Sequence, residues 1–298
     1  MSDKPKNWPD SPLEIERVAA GDPLRDYCLW DYEPRAEATG KWHASNLLFQ
    51  SFCAAGLDDA FVPVCQAIRE GIGFNQTVWG VKLAEGRISW EFYFYDYERL
   101  ERRVSISRLL EVLKPFVSCD LQYSEQRPYF MFSLDLDASW GQPRSKLKEI
   151  NIYTGNVGSN VSSGLSYSLT KDGLLFENLY SFFDAERERQ DATEKALCSA
   201  HFDLPDFPVS SLMLPELVDC GVLVVANKRE CDGIYFSRIG VDQLLWFMGE
   251  MAYPEALAGY VRAHRDELDH LNFDVGLDYT VDKNGKVHFH KTAYYGVF

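Results

Sequence analysis

Residues 87–97 alternate between two kinds of side chain along the chain. One edge is apolar and consists of Ile88, Trp90, Phe92 and Phe94. The other edge carries Arg87, Ser89, Glu91, Tyr93 and Tyr95. A period of two with many aromatic residues predicts a β-strand. Because the second edge is both polar and aromatic, it fits the wall of a cavity, and it equally fits an ordinary amphipathic strand of an α+β domain.

The same alternation predicts five hairpins and therefore about ten strands. Short turns such as Lys171-Asp-Gly173 and Asp282-Lys-Asn-Gly285 separate several of the paired runs, as is typical of hairpins. The predicted pairs are 77–83 with 87–97, 129–137 with 146–154, 165–170 with 174–182, 221–226 with 233–239, and 273–281 with 286–298. Helical spacing of apolar residues predicts helices within 22–70, 104–117 and 242–271. Residues 184–200 are predicted to form a polar helix with Asp184 as a candidate N-cap.

Consecutive hairpins form either a large open sheet or a closed barrel, and closure removes the exposed sheet edges. With helices outside a barrel, each strand would turn an apolar edge to the helices and a mixed edge to the lumen. Residues 87–97 and 129–137 show this pattern. We therefore predict an α+β fold, with a closed antiparallel barrel of about ten strands ringed by helices. Residues 1–20 are predicted to form an N-terminal arm, and residues 21–298 a single barrel domain.

Composition restricts the classes of partner. The formal net charge is −15 and the pI is near 4.8, which disfavours binding to nucleic acid or to an anionic membrane surface. The seven cysteines are scattered without a Cys-x-x-Cys motif, as is typical of reduced thiols. The N-terminus lacks the apolar run of a signal peptide, and no apolar stretch is long enough to span a bilayer. These features predict a cytoplasmic protein with neither a nucleic acid nor a membrane as partner.

Several short stretches, together with the order of elements, resemble the soluble aromatic prenyltransferases, whose αββα barrel has ten antiparallel strands ringed by helices. The stretches are Lys148-Glu-Ile-Asn-Ile-Tyr153, Gly233-Ile-Tyr-Phe236, Val275-Gly-Leu-Asp-Tyr279, His290-Lys-Thr-Ala-Tyr-Tyr295 and the terminal Ala293-Tyr-Tyr-Gly-Val-Phe298. Of these, Gly233-Ile-Tyr-Phe236 and the terminal stretch look closest to the peptide-modifying enzymes of cyanobactin pathways. Further basic residues of that family have no clear match around 222–226.

The resemblance implies a prenyltransferase of natural-product biosynthesis or peptide modification. It would transfer an isoprenoid from an allylic diphosphate, dimethylallyl or geranyl, to an aromatic small molecule or a peptide side chain. The cofactor implied is at most Mg²⁺ bound with the prenyl diphosphate. Such chemistry needs cations around the departing diphosphate, aromatic faces around the carbocation, and a base for the proton of the acceptor.

The candidate residues follow from these needs. Glu91 is the candidate base, because it shares a strand edge with Arg87 and Tyr93. The candidate cations for the diphosphate are Arg87, Lys291 and Arg238, and the resemblance implies that Asn151 and Tyr153 face the diphosphate as well. The candidate aromatic wall consists of Tyr93, Tyr95, Tyr279 and Tyr295. Asp135 is a weak candidate for a metal ligand. Structural alternatives remain open, since Glu91 could pair with Arg87 and each tyrosine could be ordinary packing.

Two other functions fit the same pattern. A non-catalytic barrel that binds an apolar or aromatic ligand would use tyrosine walls equally well. An α+β interaction domain without any lumen is the second alternative.

Overall fold

The computed structural model describes residues 15–97, 103–136, 138–140 and 145–298. The helices are α1 (Ser45–Ala55), α2 (Asp58–Ile72), α3 (Ile106–Leu113), α4 (Arg189–Leu197), α5 (Val241–Glu250), α6 (Glu255–Ala263) and α7 (Arg265–Leu268). The strands are β1 (Thr77–Ala84), β2 (Arg87–Tyr95), β3 (Ser118–Cys119), β4 (Met131–Leu136), β5 (Lys146–Leu147), β6 (Ile150–Gly155), β7 (Ser163–Thr170), β8 (Gly173–Asp184), β9 (Val222–Lys228), β10 (Asp232–Ile239), β11 (Phe273–Val281) and β12 (Val287–Val297). Across these described ranges, no helix is long and apolar enough to cross a membrane.

Within the described residues, ten strands form a closed barrel in the order β1-β12-β11-β10-β9-β8-β7-β6-β4-β2. All their pairings are antiparallel, and the pairing of β1 with β12 closes the ring. The two-residue strands β3 and β5 pair with each other outside it. The turn between β1 and β2 has Glu85 and Gly86 at φ angles of 51° and 72°, the left-handed pair that a tight hairpin requires. The structure confirms the predicted closed barrel.

The barrel separates two apolar cores. The larger core lies between the outer barrel face and the helices, and it contains Trp90, Phe92 and Phe94 of β2. The smaller core contains Tyr93 and Tyr95 of the same strand, together with side chains of β1, β4, β6 and β12. The alternation along β2 therefore distributes its aromatic residues between two environments: the outer core and the lumen.

Residues 15–44 contain no helix, although the sequence predicted a mainly helical region from residue 22. The apolar spacing behind that prediction lies within residues 47–68, which do form α1 and α2. Earlier in the chain, Gly21, Pro23, Pro34 and Gly40 interrupt any helical run. Instead the segment folds back on itself through backbone bridges such as Arg17 to Trp42. Residues 1–14 of the predicted arm and residue 137 of a predicted strand lie outside the described residues.

The helix predicted at 184–200 begins later, at Arg189. Asp184 is the last residue of β8, where it pairs with Val222 of β9. Its carboxylate accepts the backbone N–H groups of Glu186 and Arg187 and so forms the turn that leads to α4. Pairing with β9 thus extends the strand through a residue that the sequence pattern placed in the helix.

Candidate functional site

A cavity of about 590 Å³ occupies the end of the lumen at which β2, β6 and β8 finish. Eight of the 16 tyrosines of the chain line it: Tyr27, Tyr93, Tyr95, Tyr97, Tyr153, Tyr180, Tyr235 and Tyr295. Its volume falls within the range of about 300–1,000 Å³ that is typical of small-molecule sites. The lumen is therefore not completely filled by its own side chains.

The segment before α1 contributes Tyr27 to this cavity. The carboxylate of Asp26 accepts the backbone N–H groups of Cys28 and Trp30, at 2.9 and 3.0 Å, and forms a tight turn. The turn places the Tyr27 ring edge-on against Tyr93 and Tyr295, with centroids 5.2 Å away in each case. Edge-to-face ring pairs at this distance are favourable beyond simple burial. Residues 26–30 therefore cap the barrel and complete its aromatic wall.

Hydrogen bonds fix the hydroxyl groups of the wall tyrosines. The Tyr93 hydroxyl donates to Glu91 at 2.6 Å, and the Tyr180 hydroxyl accepts from the Asn178 amide at 3.0 Å. The Tyr235 hydroxyl accepts from the Lys228 ammonium at 3.0 Å. The polar ends of these three tyrosines are therefore occupied by neighbouring side chains, which leaves their ring carbons as the surface that a ligand would contact.

Two glycines make room for rings of the wall. Gly80 of β1 is paired with Tyr295 of β12. A Cβ atom at Gly80 would lie 2.6 Å from the Tyr295 ring. A Cβ atom at Gly276 of β11 would lie 2.4 Å from the ring of Tyr235. Glycine inside a strand often marks such a close approach. The two rings thus lie on bare backbone of the neighbouring strand.

A first buried charge cluster lies deeper in the barrel, around Glu91. The Lys82 ammonium is 3.2 Å from Glu91 and 2.9 Å from Asp135. Burial raises the pKa of Glu91, but Lys82 and Lys291 outweigh that effect and hold the pKa of this carboxyl below its ordinary value. Glu91 is therefore a charged partner of lysine rather than a carboxyl poised to titrate near neutral pH.

A second cluster joins β9, β11 and β12. The Lys228 ammonium donates to one oxygen of Asp278 at 2.6 Å, and the Lys291 ammonium is 3.0 Å from the other. Burial raises the pKa of Asp278, yet the two lysines hold it below its ordinary value. Burial lowers the pKa of Lys228, but Asp278 more than reverses this and raises it. Across both clusters, three lysines face three carboxyl groups, so the formal charges balance.

Charged groups also lie at the open end of the cavity. The Arg238 guanidinium donates twice to one oxygen of the buried Asp26, at 2.9 and 2.6 Å. Asp274 of β11 also lines the cavity and is 5% exposed. Burial, with a further contribution from the negative charge of Asp26, raises the pKa of Asp274 to about 7. Asp274 is therefore a carboxyl that titrates near neutral pH inside the cavity.

The structure brings together most of the residues that the sequence selected. Tyr93, Tyr95, Tyr153 and Tyr295 line the cavity, and Arg238 lies at its open end. Glu91, Lys291 and Asp135 belong to the charge clusters. Asn151 lies on β6 opposite Ser133 and Ser168 of its neighbouring strands.

Two predicted site residues lie elsewhere. Arg87 is at the tip of the β1–β2 hairpin, where its side chain is 81% exposed and pairs with Glu85 instead of Glu91. Tyr279 belongs to the outer core, because a bulge between Asp278 and Tyr279 changes the register with β12. Neither side chain lines the cavity.

Asp135 does not join a metal site among the described residues. No group of three or more His, Cys, Asp or Glu side chains there has a geometry that could hold a metal ion. Asp135 instead pairs with Lys82, and its side chain is 57% exposed.

Sequence reasoning missed several residues of the site. These are Tyr27, Tyr180, Tyr235, Lys228, Asp274 and Asp278. Asp274, Gly276 and Asp278 share one edge of β11, and that alternation could have shown that the edge faces the lumen. Lys228 was missed because the strand was predicted to end at residue 226, two residues too early.

No family model matches the chain. A JmjC domain-containing protein of Acanthamoeba polyphaga mimivirus is 18% identical to it over 260 residues. The match covers 76% of this chain and 42% of the viral protein, so the chain spans less than half the length of this curated relative.

The name of this relative contradicts the prediction of a prenyltransferase. The predicted transfer of an isoprenoid, the enzyme class and the role in natural-product biosynthesis or peptide modification are therefore wrong. In the barrel, Lys291, Lys228 and Lys82 are each paired with a carboxylate.

Proposed function

We propose that this chain is a small-molecule-binding protein that holds a ligand with an aromatic or apolar body in the tyrosine-lined cavity. The observation that carries the proposal is the cavity itself, about 590 Å³ in a closed barrel with eight tyrosines in its wall. Binding sites of this kind are concave and mainly apolar, with few polar groups.

The wall is organised before any ligand arrives. Ring-to-ring contacts connect Tyr27, Tyr93, Tyr153, Tyr180 and Tyr235 in one continuous series, with successive centroids 5.2–6.3 Å apart. Their strands are joined by the barrel ladder, and three of their hydroxyls are held by fixed hydrogen bonds. A site that is already ordered loses little conformational entropy on binding, and this favours affinity for a small ligand.

The viral relative does not add a second function. Its name describes a protein of which this chain matches 42%. The predicted Mg²⁺, prenyl diphosphate and acceptor stay untested predictions and form no part of this proposal. We also propose a cytoplasmic location, which the seven free cysteines support.

The proposal can be tested with a neutral fluorescent probe, N-phenyl-naphthylamine, whose emission increases in an apolar site. We expect saturable binding by the wild-type protein at one site. Gly164 of β7 lines the cavity, and a Cβ atom there would lie 3.8 Å from Phe182, an ordinary contact distance. Gly164→Leu should therefore fill part of the cavity and lower the affinity for the probe at least about tenfold, because the probe would bury less apolar surface there.

Gly164→Ala is the matched control, because its single methyl group fits the available space. Its affinity should stay within about threefold of the wild type. Absence of saturable binding by the wild type, or equal affinity of Gly164→Leu and wild type, would contradict the proposed function.

A further inference from the structure

We infer that the ligand of this cavity is an organic cation, an amine or quaternary ammonium with an aromatic or apolar body, whose charge lies beside Asp274. This inference rests on the proposed binding function and specifies the chemical class of its ligand.

The first observation is the balance of charge along the cavity wall. The described residues that line the cavity include four carboxyl groups, Asp26, Asp184, Glu188 and Asp274, and one cation, Arg238. Arg238 is already bound to Asp26 through two hydrogen bonds. The lining therefore carries a surplus of carboxyl groups, which attracts a positive ligand and repels a negative one.

The second observation is an unsatisfied oxygen of Asp274. Ser237 and the backbone N–H groups of Arg238 and Tyr27 lie near the Asp274 carboxyl and partly offset the effect of burial on its pKa. The buried Oδ1 atom nevertheless has no hydrogen-bond partner within the described part of the chain. A buried acceptor without a partner is costly, so each such atom in a native structure needs an explanation. A cation in the adjacent cavity would supply the missing electrostatic partner.

The third observation is the aromatic wall. The faces of tyrosine rings attract cations through the quadrupole of the ring, and cages of several rings recognise quaternary ammonium groups. Tyr295 is opposite Asp274 on β12, and Tyr27 lines the cavity together with both of them. Tyrosine rings and a carboxyl thus border the same part of the cavity.

The lysines of the barrel do not offset this preference. Lys82, Lys228 and Lys291 are absent from the described lining of the cavity. Each is held by a carboxylate at 2.6–3.2 Å in the clusters around Glu91 and Asp278. An anionic ligand would find only Arg238, and it would have to compete with Asp26 for that group.

The test uses three compounds of similar shape and different charge: phenyltrimethylammonium, tert-butylbenzene and benzenesulfonate. Each is titrated against the wild-type protein with bound N-phenyl-naphthylamine at constant ionic strength and pH 8, and displacement is read from the loss of fluorescence. We expect the cation to bind at least about tenfold more tightly than its neutral isostere, and the sulfonate to bind most weakly.

Two variants locate the charge preference. Asp274→Asn should reduce the affinity for phenyltrimethylammonium at least about tenfold and leave that for tert-butylbenzene within about threefold. Asp172→Asn removes the same charge from the exposed turn between β7 and β8 and should leave all three affinities unchanged.

Equal binding of the three compounds by the wild type, or tightest binding of the sulfonate, would overturn the cation inference and leave the binding function standing. If the fluorescent probe itself does not bind, the proposed function fails as well. The selectivity of the wild type decides the inference even if Asp274→Asn does not fold.

Discussion

Replacing Asp274 by asparagine should make the stability of the protein less dependent on pH. Asparagine has nearly the same shape as aspartate and keeps one of its two side-chain oxygens. Unlike aspartate it is neutral at every pH. The substitution therefore isolates the cost of a buried negative charge from the packing of the side chain.

The size of this effect on the free energy of unfolding follows from the pKa of Asp274 in the folded protein. Burial is the main reason that the pKa of Asp274 rises from 3.8 to about 7, and Asp26 adds to the rise. Because the folded pKa lies above the unfolded one, the native state retains a proton that the unfolded chain releases. The wild type therefore loses stability as pH rises through this window, at about 1.4 kcal/mol per pH unit. The complete cost above pH 7 is about 4 kcal/mol.

Other titrating groups near Asp274 do not interfere within this window. Burial raises the pKa of Cys28, Cys220 and Tyr32 to about 12, and it raises the pKa of Tyr95 well above its ordinary value. All four therefore stay neutral between pH 5 and pH 8. Between pH 5 and pH 8, the group in this set whose charge changes is therefore Asp274.

Urea unfolding of the wild type and Asp274→Asn at pH 5 and at pH 8 measures the effect. Relative to the wild type, the variant should gain about 3 kcal/mol between the two pH values, since two pH units of the window lie between them. Asp172→Asn serves as the control and should show no such gain. A stability difference between wild type and Asp274→Asn that is the same at both pH values would refute the assignment of a raised pKa.

Two further predictions concern the barrel wall and the second charge cluster. Gly80→Ala should lower the free energy of unfolding by about 1–3 kcal/mol, because the new methyl group overlaps the Tyr295 ring; urea unfolding checks this, and unchanged stability would contradict the close contact. Lys228→Met should cost roughly 3–5 kcal/mol by the same measurement, because it removes a buried partner of Asp278. The adjacent Arg229→Met is the control; it breaks a more exposed ion pair and should cost less than about 1 kcal/mol. Similar losses in the two variants would contradict a larger contribution of the buried pair to stability.

The architecture could be predicted from sequence because the two edges of a strand face different surroundings. In β2 the apolar edge enters the outer core and the tyrosine edge enters the lumen, as the alternation indicated. Consecutive hairpins then left only an open sheet or a barrel, and the pairing of β1 with β12 realises the barrel. Local periodicity thus predicted the strands, and the cost of exposed sheet edges favoured closure of the barrel.

The site was only partly predictable because it depends on register and on distant contacts. A bulge after Asp278 turns Tyr279 outward, and no local pattern announces that bulge. Tyr27 enters the cavity from a segment without periodicity, where a turn around Asp26 positions it. Arg87 shares its edge with Glu91, yet the hairpin ends there and leaves the guanidinium in solvent.

From the sequence, Lys291 was treated as a free cation, and the structure pairs it with a carboxylate. A lysine in the lumen suggests an anion site only if its charge is free. Asp278 lies between Lys228 and Lys291 and uses both oxygens to bind them. That pairing joins three strands, and sequence order does not reveal it.

The central claim, that the barrel lumen is a binding site, is tested most directly by a crystal structure of the protein soaked with para-iodophenol. The anomalous signal of iodine locates the probe without reference to any assumed pose. We predict a peak inside the cavity, among the rings of Tyr27, Tyr153 and Tyr235. Iodine peaks on the outer surface with an empty lumen would contradict the account.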